Sequence, residues 1–254
     1  MGAALIIARR DLMSFFTSIK GASIFFFFLI FMGVFFQNFV ATFAELTAQA
    51  PQHGGEAPTL EQLTRAIFYN LHFILILIVP AVTMSAFSEE KRNHAFRLLQ
   101  TSPVTSLQIV LGKFLASTSL LGFVLLASTV YPMFTVLYGN PDVGVILSSY
   151  LGIFLLMCGQ VAFGIWISSM TSNQFIAFLF TMFGIFMLMI LNWLAPHITG
   201  GGTLENVAKY VASTEHLDSF FKGLITVKST MYFLCFSAMF LFFTNVALDS
   251  QRWR

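Results

Sequence analysis

The chain has 254 residues, of which 57% are apolar and only 9% carry charge, where a soluble domain usually carries about a quarter charged residues. So little polar surface cannot keep the folded chain in water, and its 32 phenylalanines exceed what one water-soluble core of this length can bury, which leaves lipid as the solvent. A net charge of +2 is too small to mark a nucleic-acid partner.

In chain order, Leu5–Lys20 comes first. It mixes apolar Ile6, Ile7, Leu12, Met13, Phe15, Phe16 and Ile19 with Arg9, Arg10, Asp11 and Lys20. That pattern predicts a helix lying in the membrane interface. No small-residue cleavage site follows the next apolar run, so the start is not read as a signal peptide.

Spanning the hydrocarbon takes about twenty apolar residues. Six runs qualify: Ile24–Phe43, Ile67–Phe87, Phe114–Leu137, Val145–Ile167, Phe175–Leu194 and Thr230–Leu248. None contains Asp, Glu, Lys or Arg. Ten-residue alternating segments, the mark of a barrel, are absent, so the expected class is an all-α integral membrane protein. Pro132 falls near one end of the third run, where a kink is tolerated.

Between the first two runs, Ala44–Arg65 holds Pro51, Gly54, Gly55 and Pro58 and reads as a solvated loop. Before the last run, Ala195–Lys228 places Leu204, Val207, Val211, Leu217, Phe220, Phe221 and Leu224 at near-helical spacing. One or two short amphipathic helices against the outer face are expected, with Gly200, Gly201 and Gly202 as a flexible lead-in.

Basic residues set the orientation. With the N-terminus in the cytosol, nine fall inside (Arg9, Arg10, Lys20, Lys91, Arg92, Arg97, Lys113, Arg252, Arg254) and four outside (Arg65, Lys209, Lys222, Lys228). Both termini are expected to be cytosolic.

No catalytic motif is present. Gly112-Lys113 is followed by Phe114 and lacks the earlier glycine of a phosphate loop. HExxH, GxSxG and paired cysteines are missing. Cys158 and Cys235 sit inside apolar runs and read as packing residues. His53, His72, His94, His197 and His216 are scattered. Within the spans the polar groups include Gln37, Asn38, His72, Gln160, Asn192 and Asn245. Their expected role is hydrogen bonding between helices. Ion-driven work needs a group that changes charge inside the membrane, which leaves only His72 for such a reading. Ser148-x-x-x-Gly152, with Gly159, lines one face of the fourth span with small residues and predicts close helix approach.

One cytosolic stretch looks built to receive work from a partner. After the second span, Glu89, Glu90, Lys91 and Arg92 cluster where the chain leaves lipid, followed by His94, Phe96, Arg97, Leu98 and Leu99. Ser102-Pro103 ends the helix, and Thr105 or Ser106 can cap the next. A short helix with an apolar tip and charged flanks fits a groove on a soluble partner.

Glu89-Glu90-Lys91-Arg92, then Leu98-Leu99-x-Thr101-Ser102-Pro103-Val104, then Leu111-Gly112-Lys113, resembles the region between the second and third helices of ABC-2 type transporter permeases. The six-span plan, the N-terminal interfacial helix and the long outer segment are also similar to that family. A narrower likeness, Glu215-His216-x-Asp218-x-Phe220-x-x-Gly223 with Tyr232-Phe233 and Ser250-Gln251-Arg252-Trp253-Arg254, is to the gliding-motility-associated (Gld F type) permeases. The resemblance implies the transmembrane half of an ABC exporter of the type V kind in a bacterial inner membrane. Such a half pairs with a second permease copy or paralogue and with cytosolic ABC ATPase subunits. Some assemblies of this kind add an auxiliary extracytoplasmic subunit. ATP and Mg would be held by the ATPase, with no cofactor on this chain. Residues Glu89–Leu99 would be the ATPase-coupling segment. Many relatives carry Gly-Thr-Leu-Glu where this chain has His94-Ala95-Phe96-Arg97, so Arg97 reverses a common acidic charge and implies a less basic docking groove. Two other readings compete: a membrane anchor that recruits an ATPase without moving cargo, and an ion-driven transporter centred on His72.

Overall fold

A computed structural model of the chain describes residues 2–53, 59–93, 104–139, 141–199 and 203–252. Every regular element among them is helical: α1 (Gly2–Thr17), α2 (Ile19–His53), α3 (Leu60–Thr83), α4 (Ser85–Arg92), α5 (Ser106–Ser128), α6 (Val130–Gly139), α7 (Val143–Met170), α8 (Gln174–Thr199), α9 (Thr203–Val211), α10 (Ser213–Phe221) and α11 (Val227–Arg252). Six stretches are long and apolar enough to cross a membrane: 21–49, 60–92, 106–139, 143–170, 174–194 and 227–251. Each expected run lies within one of them.

The spans are not equivalent. In the stretches through α3, α5 and α7, between 56% and 67% of the most apolar window is buried, against 11% to 22% in α2, α8 and α11. Three helices therefore form the core, and three surround it with phenylalanine-rich outer faces such as Phe26, Phe27 and Phe31 on α2 and Phe175, Phe180 and Phe183 on α8. Exposed apolar area of that kind is stable only against lipid or another protein.

Two spans are broken, each beside a proline. The break between α5 and α6 falls at Thr129, three residues before Pro132. The proline ring has no N–H and blocks the carbonyl four residues back, that of Ser128. The side chains of Ser128 and Thr129 cover the disturbance by donating to the carbonyls of Leu125 and Leu126, both at 2.7 Å. Pro80 lies in the last turn of α3, and the helix breaks at Met84 before resuming as α4.

The solvated loop expected over Ala44–Arg65 is much shorter. Helix α2 continues to His53 and α3 starts at Leu60. The reason is local: Ala44-Glu45-Leu46-Thr47-Ala48-Gln49-Ala50 is made mostly of strong helix formers, which carry the helix beyond the apolar run. Thr59 is the N-cap of α3, and its N–H donates to Gln62 Oε1 at 3.3 Å, as in a capping box.

α1 is packed on the bundle as well as placed at its end. Ala4 and Ile7 are buried against α5, and a Cβ at Gly112 would lie 2.9 Å from the Ala4 carbonyl. The starts of α2 and α5 and the ends of α4, α7 and α11 gather at this same end, called the base below. α9 and α10 lie at the opposite, distal end.

Candidate functional site

The base is where the chain's few charges meet. The sequence Ser85-Ala86-Phe87-Ser88-Glu89-Glu90-Lys91-Arg92 forms α4, with Lys91 and Arg92 in the last turn, where the helix dipole favours cations. Its N-cap position is Met84, whose side chain makes no capping bond. The hydroxyl of Ser168, at the end of α7, takes that part. It accepts the N–H of Phe87 at 3.1 Å and of Ser88 at 3.2 Å and donates to the Met84 carbonyl at 3.1 Å. At the other end of α4, Lys91 Nζ donates to the Ser169 carbonyl. Gln251 of α11 donates to the same carbonyl at 3.3 Å.

A charge network fixes α4 from its second side. Lys113 Nζ is 2.8 Å from Glu90 Oε1 and 3.4 Å from Asp11 Oδ2. Arg10 bridges Asp11 at 2.8 Å and Glu90 at 3.3 Å. Lys113 also lies over the Phe87 ring, 5.2 Å from its centroid. Two positive and two negative side chains thus join α1, α4 and α5, with α4 held between them. Glu90 Oε2 is buried without a partner in the chain. A cavity of about 480 Å³ opens there, lined by Asp11, Phe15, Ala86, Lys113 and Leu120, which is room enough for water.

The chain's return into the bundle is fixed too. Thr105 caps α5, accepting from Gln108 N, while Gln108 Oε1 accepts from Thr105 N at 3.3 Å. Ser106 donates to Asp249 Oδ1 of α11 at 2.5 Å, and Asn245 holds the other oxygen of Asp249 at 3.3 Å.

Of the expected coupling residues, Glu89, Glu90, Lys91 and Arg92 lie in α4. His94, Phe96, Arg97, Leu98 and Leu99 lie outside the described residues. Of the groups that hold the segment's two ends, Ser168, Ser169, Asp11 and Asp249 were not singled out by their sequence, and Lys113 entered only as part of the Leu111-Gly112-Lys113 motif. One signal was available: Asp11 and Lys113 are opposite charges beside otherwise apolar helices, where an unpaired charge is costly.

The small residues of α7 meet neighbours within the chain. Ser148 donates to the Phe220 carbonyl of α10 at 2.8 Å. A Cβ on Gly152 would lie 2.7 Å from Phe220 Cβ, and one on Gly159 would lie 3.0 Å from Phe236 Cδ1 of α11. Phe220 and Phe221 are fully buried, so α10 is seated in the distal end of the bundle and does more than lie against a surface.

His216 clamps this distal cap. Its ring stacks on Tyr232 with centroids 4.0 Å apart, and its Nε2 is 2.9 Å from the Tyr210 carbonyl. Burial pushes its pKa down; the bond to the Tyr210 carbonyl works against that shift and nearby Lys228 adds to it. Asp218 accepts from Tyr69 at 2.9 Å and pairs with Lys222. Burial raises its pKa, but the bonds from Lys222 and Tyr69 outweigh that and hold it low.

Elsewhere the polar groups stay local. Asn38 donates to the Val34 carbonyl of its own helix at 3.0 Å, not to another helix as expected. An amide in lipid takes the nearest carbonyl, and α2 has little protein around it. His72 is buried, and its Nε2 has no hydrogen-bond partner among the described residues. Cys158 and Cys235 are both free. Among the described residues no group of His, Cys, Asp or Glu could hold a metal ion.

These features define a multi-pass membrane protein whose polar groups brace helices and whose base holds the end of α4 and the start of α5 in place. The family model for "ABC-2 family transporter protein" matches residues 19–188, from the start of α2 into α8. The chain belongs to that family and is the membrane permease component of an ABC transporter. No curated protein matches it.

Proposed function

We infer that the chain is the membrane half of an exporter driven by separate cytosolic ABC ATPase subunits, which dock on the segment 89–99 and hold the ATP and Mg. The observation that carries this reading is the double anchorage of that segment. Its stem, α4, is held by α7 through Ser168 and Ser169 and by α1 and α5 through Glu90. Its return is held by α11 through Asp249. A push on α4 therefore reaches α1, α5 and α7 directly, and α11 braces the start of α5. The shift between cytosol-facing and outward-facing states is an equilibrium biased by nucleotide at the partner.

In this reading the base faces the cytosol of a bacterial inner membrane, and both termini lie on that side. A second permease copy or paralogue covers part of the exposed apolar faces of α2 and α8, and the cargo path lies between the two permeases. An auxiliary extracytoplasmic subunit would meet the distal cap. Within the family, the motif Glu215-His216, Asp218 and Tyr232-Phe233 supports a permease of the gliding-motility-associated type.

The test is co-reconstitution of the chain in vesicles with a candidate ABC ATPase subunit. ATP-dependent flux of a lipid, peptide or drug probe is expected, and each component alone should give none. An ATPase-binding chain that moves no probe under any gradient or nucleotide would favour the anchor reading instead.

A further inference from the structure

We propose that Ser168 is a positioning residue: its hydroxyl caps α4 from across the helix interface and makes α4 and α7 a single lever. This deepens the reading above and rests on it. The argument starts from what a helix start requires. At a helix start the first N–H groups lack partners within their own helix, and a serine, threonine, asparagine or aspartate at the N-cap normally receives one of them. Here that position is Met84, which has no acceptor. Ser168 occupies the missing role in space, accepting from Phe87 and Ser88 and returning its own proton to the Met84 carbonyl. Ser168 is fully buried, so water does not compete for these bonds.

The consequence is mechanical. The covalent joint between α3 and α4 is a helix break, which by itself would bend under load. The links from α4 to α7 bracket the helix: Ser168 at its start and the Ser169 carbonyl, bound by Lys91, at its end. One turn above, Gly164 of α7 lies so close to Thr83 that a Cβ there would stand 2.8 Å from Thr83 Cβ, so the two helices are already in contact at the break. Displacement of the docking segment therefore passes into α7, the most central span, and flexing at Met84 is suppressed.

Two measurements test this. In the full chain in lipid nanodiscs, amide exchange at Phe87 and Ser88 should quicken about tenfold in Ser168→Ala and return toward wild type in Ser168→Thr. Unchanged exchange in Ser168→Ala overturns the cap. In the complex with its ATPase, spin labels at Arg92→Cys on α4 and Val143→Cys on α7, in a background without Cys158 and Cys235, should keep one separation with and without trapped ATP. In Ser168→Ala that separation should shift on trapping. A shift already present with Ser168 intact overturns the single lever. If no ATPase binds the chain, the functional reading and the lever fall together, while the exchange measurement on the chain alone still decides the cap.

Discussion

Lys113 Nζ lies 2.8 Å from Glu90 Oε1 with only 5% of the lysine side chain exposed, so an ion pair joins α5 to α4 at the point where the chain leaves the apolar bundle. Asp11 and Arg10 complete the network from α1. Removing one partner of such a pair leaves the other charge desolvated, which costs about 3–5 kcal/mol in buried sites. Glu90 and Asp11 keep some water, at 17% and 25% exposed, so the low end applies. Lys113→Met should lower the melting temperature of the purified chain clearly. Lys113→Met combined with Glu90→Gln should recover part of that loss. A double variant as unstable as the sum of its parts would show that the two residues do not act as a pair.

Three glycines make a graded series. Gly152 faces Phe220 Cβ and Cγ at 2.7 Å, atoms near the backbone that cannot swing away. Gly152→Ala should therefore cost about 1–3 kcal/mol by overpacking and loosen α10. Gly159 faces Phe236 Cδ1 at 3.0 Å, on a ring that can turn, so Gly159→Ala should be milder. Gly122 has nothing within 4 Å, and Gly122→Ala should be neutral or stabilise by up to about 1 kcal/mol through helix propensity. Protease protection of the α10 region, compared across the three variants, checks the order. Phe220→Ala should partly rescue Gly152→Ala.

The distal cap should weaken in acid. His216 is held in its neutral form in the folded chain, because burial disfavours the imidazolium and Lys228 repels it. The unfolded chain, whose histidine titrates near 6.5, then binds more protons than the folded one below that pH. Stability contributed by neutral His216 is present above about pH 6.5 and is lost as pH falls below it. Melting temperatures from pH 7.5 to 5.5 should fall more steeply for wild type than for His216→Gln, which keeps a donor for the Tyr210 carbonyl but does not titrate. Parallel slopes would refute the assignment.

The spans were legible because twenty apolar residues without a charge leave a chain few alternatives to crossing lipid. The cap at Thr105 was legible too, since capping boxes are local. What escaped has a common cause. Ser106 with Asp249 and Ser168 with Phe87 join residues far apart in the chain, and no local pattern encodes such a meeting. Asn38 was assigned a partner on another helix, but α2 has so little protein around it that its own backbone was nearer. The length of α2 was missed because Pro51 and the glycines after it were weighted above the helix formers Ala44–Ala50.

The docking segment gives the sharpest separation between fold and function. Among the described residues, the contacts that brace the base belong to Arg10, Asp11, Glu90, Lys91, Lys113, Ser168 and Asp249, whereas the proposed docking tip is Phe96, Leu98 and Leu99. Each large apolar side chain buried in a partner's groove is worth about 1.5–3 kcal/mol, and placing a charge there costs more. Phe96→Asp, Leu98→Asp and Leu99→Asp together should therefore abolish binding of the ATPase and its stimulation. Expression, helical content and melting temperature of the isolated permease should stay near wild type. Lys113→Met should do the reverse, lowering stability while leaving the docking tip itself intact. If the triple variant still stimulated the ATPase as wild type does, the force would have to enter the bundle elsewhere, and the anchorage of α4 would lose its mechanical meaning.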